Sequence, residues 1–150
     1  MTTPLRGGRA RRIHVLPEEL ISEMSEVARR EAPLEACGVL LGDSSGSRIR
    51  TVEQMAGRNI ESEWPHERYR LAPEDFLAAE RSARCRGLEV VGFWHSHPRA
   101  PARPSARDRE TAWEGYSYVI VSLAREAPVE VKSWRLSEGA FCEEEIQSAL

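Results

Sequence analysis

A mixed α and β domain, one sheet with helices packed against it, is the fold class this sequence predicts. Segments with apolar residues at helical spacing alternate with short apolar runs of strand length, so strands and helices interleave along the chain. The length of 150 residues fits one domain, and no repeat or long linker divides it. A chain of this size buries enough apolar surface to fold without disulfides or a structural metal.

The elements follow in order. Arg6, Arg9, Arg11 and Arg12 cluster around Gly7 and Gly8, which predicts a flexible basic tail over 1–12, with the folded domain spanning 13–150. Pro17, Glu18 and Glu19 start a helix, with proline in the first turn and acids at the positive end of the dipole. Leu20, Ile21, Met24, Val27 and Ala28 give it an apolar stripe to about residue 31, and Pro33 stops it. Cys37 to Leu41 reads as a buried strand ending at Gly42, and Asp43 to Ser47 as a turn. Arg48 to Met55 reads as its partner strand, Ala56 to Pro65 as irregular, and His66 to Leu71 as a short strand. Pro73, Glu74 and Asp75 open a second helix to about Arg86, with Phe76, Leu77, Ala79 and Ala83 inward and Gly87 closing it. Leu88 to Trp94 is a nearly unbroken apolar run and predicts a central strand. Three prolines make 98–104 an irregular loop, and Ser105 to Trp113 predicts a short helix. Tyr116 to Leu123 and Val129 to Leu136 read as strands, followed by a last strand near Phe141 and a C-terminal helical turn.

Composition narrows the function. A formal net charge of -3 argues against nucleic acid as a partner. No apolar run approaches the ~20 residues of a membrane span, and the N-terminus lacks the apolar core of a secretion signal. The three cysteines, Cys37, Cys85 and Cys142, are odd in number and widely spaced. That argues against a disulfide framework or a cysteine-rich zinc site and suits a reducing compartment, with the cytoplasm as the expected location.

The chemistry concentrates in Gly92-Phe93-Trp94-His95-Ser96-His97-Pro98. In an extended chain residues two apart point to the same side, so His95 and His97 can aim at one point at the end of a buried strand. Asp108 follows in Ser105-Ala106-Arg107-Asp108, where a loop and the first turn of a helix can return a carboxylate to that point. Two imidazoles and a carboxylate leave a tetrahedral zinc one open position, where bound water has its pKa lowered to about 7. Ser105 and Asp108 also form a Ser-x-x-Asp capping pattern, which is compatible with a place in the site. Ser96 points to the other face. His14 and His66 have no partner at ligand spacing and read as non-catalytic, Cys37 as a small buried residue, and Trp64, Trp94, Trp113 and Trp134 as core or rim.

His95, His97, Pro98, Ser105 and Asp108 together resemble the signature of the JAMM (MPN+) metalloprotease family, which is His-x-His followed by ten residues and Asp, with Pro after the second histidine and Ser three before the Asp. The segment Pro33-Leu34-Glu35-Ala36-Cys37-Gly38 resembles the family's upstream glutamate region, and the resemblance covers about residues 13 to 146. It implies a single JAMM/MPN domain with a fold like that of the cytidine deaminases. It also implies Zn2+ on His95, His97 and Asp108, Glu35 as general base and then acid, and Ser105 hydrogen-bonding the water or the developing oxyanion. The implied reaction is hydrolysis of an amide bond at the C-terminal Gly-Gly tail of a ubiquitin-like or sulfur-carrier protein. A catalytically silent interaction module and a small-molecule amide hydrolase on the same fold remain open at this point. The chain has no His-Glu-x-x-His, no His-x-Glu with a later Pro-Cys-x-x-Cys and no phosphate loop. The sequence leaves the oligomeric state undetermined.

Overall fold

The computed structural model describes residues 11–148; residues 1–10 of the predicted basic tail lie outside them. The chain runs β1 (Ile13–Val15), α1 (Glu18–Glu31), β2 (Cys37–Ser45), β3 (Arg48–Gly57), α2 (Pro73–Cys85), β4 (Glu89–His97), α3 (Ala106–Thr111), β5 (Ser117–Ser122), β6 (Glu130–Ser137) and β7 (Ala140–Gln147). The seven strands form one mixed sheet in the order β1-β3-β2-β4-β5-β6-β7, and β1 pairs parallel with both β3 and β7, closing the sheet into a barrel. The α/β expectation holds, with the addition that the sheet closes.

The two long helices cover opposite sides of β2 and β4. Leu20, Met24 and Ala28 of α1 pack with Leu40, Trp94, Val119 and Val121. Ala79 and Ala83 of α2 pack with Val39 and Leu41, joined by Phe76 and Phe93. Successive residues of β2 therefore feed different cores, as the period of two requires. This makes Cys37–Leu41 apolar throughout, with all five residues buried. In β4, Trp94 enters the α1 core and Phe93 the α2 core, so His95 and His97 take the side of Phe93. At Gly92 the strands approach so closely that a Cβ would overlap the Ser117 carbonyl oxygen, so glycine is what lets β5 lie along β4.

Several sequence expectations need correcting. His66–Leu71 is not a strand: it is a turn and loop whose one strand-like pairing among the described residues is the isolated bridge Asn59–Leu71. The Asn59 side chain holds this loop in place of a ladder, accepting from Glu61 N and Arg70 N and donating to Glu35 O and Arg68 O. Leu77 faces solvent. Among the described residues there is no C-terminal helical turn, because β7 stays extended to Gln147. The three-residue β1 escaped the sequence reading because its length is below what alternation can signal.

His14, in β1, is fully buried in a polar chain. Ser133 Oγ donates to Glu144 Oε1 at 2.8 Å. Its hydroxyl can then only accept from His14 Nδ1, 2.8 Å away, which leaves His14 Nε2 to accept from Thr51 Oγ1 at 2.7 Å. The imidazole is thus neutral and satisfied at both nitrogens, and burial lowers its pKa from 6.5 to about 4. This agrees with a non-catalytic reading.

Candidate metal centre

Each site residue is positioned by a different element. The β2–β4 register sets Cys37 opposite His95, and just beyond it Ser96 N donates to Ala36 O while Ala36 N donates to Ser96 Oγ at 2.8 Å. Ser96 therefore has the structural role expected of it, and it fixes Glu35 next to the histidine strand. Glu35 N also donates to Pro65 O, and its carboxylate is buried with Oε1 unpartnered. Asp108 comes from the first turn of α3, where Ser105 Oγ accepts from Asp108 N at 3.0 Å and Asp108 Oδ2 accepts from Ser105 N at 2.8 Å. This reciprocal capping box is the predicted Ser-x-x-Asp pattern, and the same Oδ2 faces the histidines.

The three predicted ligand atoms meet. His95 Nε2 and His97 Nε2 lie 3.1 Å apart, and Asp108 Oδ2 is 3.2 Å from the first and 3.3 Å from the second. A tetrahedral zinc with bonds of ~2.0–2.1 Å keeps neighbouring ligand atoms ~3.3–3.4 Å apart, so the triangle fits a shared ion. Two imidazole nitrogens this close cannot both carry protons, and a common cation satisfies both lone pairs. Glu35, His95 and His97 also form a buried metal-capable group, with one ligand atom from each within 4.8 Å of the others. The site is thus a metal-capable set of two histidines with two acids near, of which Asp108 makes the shorter contacts.

Hydrogen bonds around the site orient the two rings. His97 Nδ1 donates to Pro101 O at 2.8 Å, which presents Nε2 as the free lone pair. That carbonyl is held because the proline-rich loop is tied down on three sides: Ser122 Oγ donates to Ala100 O, Trp134 Nε1 donates to Ala102 O, and Ala102 N donates to Glu130 Oε1. Tyr69 stacks on His95 with ring centroids 4.5 Å apart and an interplanar angle of 21°, fixing the plane of a ring whose Nδ1 has no hydrogen-bond partner. Burial alone would raise Asp108. The charge of His95 and the hydrogen bonds of His95, His97 and Ser105 outweigh it and hold the carboxyl well below the usual carboxylate range. Burial lowers His97, but the hydrogen bonds to Asp108 and Pro101 leave it raised. Burial raises Glu35; with Asp108 and Glu67 adding to this and His97 opposing, it reaches about 8. Cys37 is buried and its thiol pushed up to about 12, chiefly by burial, in keeping with an inert residue.

A cleft opens onto this centre, lined among others by Leu34, Glu35, His66, His97 and Ser105. His66, read from sequence as non-catalytic, is exposed on its wall. A family model described as prokaryotic homologues of the JAB domain matches residues 17–137. The chain belongs to this family. The JAB domain is 38% identical over 106 residues to a desampylase of Haloferax volcanii, covering 70% of this chain and 74% of that one. It is 32% identical over 133 residues to a CysO-cysteine peptidase of Mycobacterium tuberculosis, covering 88% of both. The solution structure of a protein from Desulfitobacterium hafniense superposes with a TM-score of 0.81 at 34% identity, over 90% of this chain and 91% of that one.

Sequence reasoning missed Asn59, Tyr69 and the Pro101 carbonyl. Each acts by supporting another residue. Asn59 lies in a segment with no periodic pattern, Tyr69 was assigned to a strand, and a backbone carbonyl leaves no trace in residue type.

Proposed function

We propose that this JAMM-type peptidase hydrolyses an amide bond at the C-terminal Gly-Gly tail of a ubiquitin-like or sulfur-carrier protein, using zinc held by His95, His97 and Asp108. The observation that carries the reading is the convergence of three ligand atoms within 3.1–3.3 Å on a cleft. Zinc, when bound, supplies Lewis-acid polarisation of the carbonyl and an activated water. Glu35, buried beside the centre with a free Oε1, takes the proton of the attacking water and delivers it to the leaving amine. Its carboxyl needs both states: a dication alongside favours the charged form, and burial favours the proton's return. Ser105 Oγ accepts from Asp108 N, so its own O–H is left to donate to the oxyanion of the tetrahedral stage. The relatives named desampylase and CysO-cysteine peptidase support a protein tail as substrate. The three cysteines are unpaired, which supports a reducing, cytoplasmic setting.

The test combines elemental analysis with cleavage of a ubiquitin-like protein extended beyond its Gly-Gly end, read by mass spectrometry. The wild type is expected to carry one zinc and release the extension. Glu35→Gln is expected to keep the zinc and lose cleavage, and Asp108→Ala to lose the zinc. Unchanged zinc content in Asp108→Ala, or full activity in Glu35→Gln, overturns the assignment.

A further inference from the structure

The walls of the cleft carry charge that this chemistry does not use. Arg68, Arg99 and Arg107 line it together with Glu35, His97 and Ser105. They come from three separate segments: the loop held by Asn59, the turn after His97, and the residue before Asp108 in α3. Arg68 and Arg107 are half-buried and Arg99 is exposed. Elsewhere on the surface Arg50, Arg58 and Arg84 each meet a carboxylate. These three meet none among the described residues, and Arg107 Nε is shut off from solvent with no hydrogen-bond partner. Among the described residues the cleft lining includes a second acid, Glu67, which stands 4.0 Å from His66. A guanidinium that lines a cleft without a carboxylate partner keeps its donors for an anion that enters the cleft.

We propose that Arg68, Arg99 and Arg107 form a carboxylate-binding subsite that seats an anionic group of the substrate beside the scissile amide. A guanidinium fork matches a carboxylate edge-on, and in a half-buried wall such a pair is screened less than at an open surface. The inference rests on the peptidase reading above, because the anions a polypeptide offers are carboxylates. Two sources share this chemistry: the free α-carboxylate of a single leaving amino acid, and an acidic side chain of the tail before its glycines.

The experiment uses the zinc-loaded full chain and ubiquitin-like fusions ending in Gly-Gly-Ala. One arm compares the free C-terminal acid with its amide. The other replaces acidic residues of the tail by their amides. Loss of a recognised carboxylate is expected to lower kcat/KM by about tenfold or more, mainly through KM, as for a charge-assisted bond removed from a partly desolvated site. Arg68→Gln and Arg107→Gln are expected to lower kcat/KM for the acid-bearing substrate by a similar factor and to leave the neutralised one nearly unchanged. The arm that shows the loss identifies the source. Equal rates in both arms, or Arg variants that slow acid and neutral substrates alike, overturn the subsite and leave the peptidase reading intact. In parallel, fluorescence anisotropy follows binding of labelled Gly-Gly-Ala and tail peptides, acid and neutralised, to Glu35→Gln protein. Carboxylate-dependent binding without any cleavage by the wild type would sustain the subsite and refute the reaction. Absence of both would refute the two together.

Discussion

Acid should loosen this fold through His14 before it does so through ordinary surface groups. The imidazole is fully buried between Thr51 and Ser133, and burial holds its pKa at about 4 against 6.5 in the exposed residue. The folded protein therefore resists a proton that the unfolded chain accepts. In the window between these two values the unfolded state binds more protons, so stability falls as pH falls; below about 4 both states are protonated and the loss is complete. The difference of about 2.5 pK units at about 1.36 kcal/mol each gives roughly 3 kcal/mol in all. Between pH 7 and pH 5 the loss should already be about 2 kcal/mol. Urea unfolding across that range, for wild type and His14→Gln with the metal chelated in both, isolates the contribution. The wild-type advantage at pH 7 should shrink by about 2 kcal/mol at pH 5. Two stability curves that stay parallel would show that His14 is not held neutral, and would refute the proton order assigned along Thr51, His14, Ser133 and Glu144.

Three further outcomes follow from the same contacts. Ser105→Ala removes a hydrogen bond of the capping box and should cost about 1 kcal/mol in denaturant unfolding; metal affinity measured by chelator competition should weaken, because Asp108 loses the cap that aims it. Gly92→Ala drives a methyl into the Ser117 backbone carbonyl, which cannot rotate away, and should destabilise by about 1–3 kcal/mol, seen as a lower thermal midpoint with reduced metal content. In the native protein a thiol reagent should label Cys85 and Cys142, both exposed, and spare buried Cys37 until urea is added; mass spectrometry of the adducts reads this directly.

The sequence spoke most clearly where local pattern and tertiary role coincide. The stripe of α1 and the apolar runs of β2 and β4 carry their meaning in residue type and interval, and each appears where expected; the spacing of His95, His97 and Asp108 likewise brings their side chains together. Glu35 was legible only through its neighbours Ala36, Cys37 and Gly38, since a lone acid after a proline has no signature of its own. What stayed hidden was set by long-range pairing. The three residues of β1 matter because they bridge β3 and β7, which nothing in Ile13-His14-Val15 announces. The loop at 66–71 looked like a strand because alternation cannot reveal that Asn59 supplies its hydrogen bonds instead of a neighbour. Leu77 looked like core because its chemistry is apolar, while the α2 face in contact with the sheet turned out to be the alanines.

The histidine pair stands at the end of a strand flanked on both sides, by β2 and by β5, with Leu123 N donating to His97 O at the last rung. Scaffolding of that kind exists before any ion arrives. A stripped molecule should therefore keep its empty socket shaped, and reloading should run at the pace of ion capture, with no refolding step in the way.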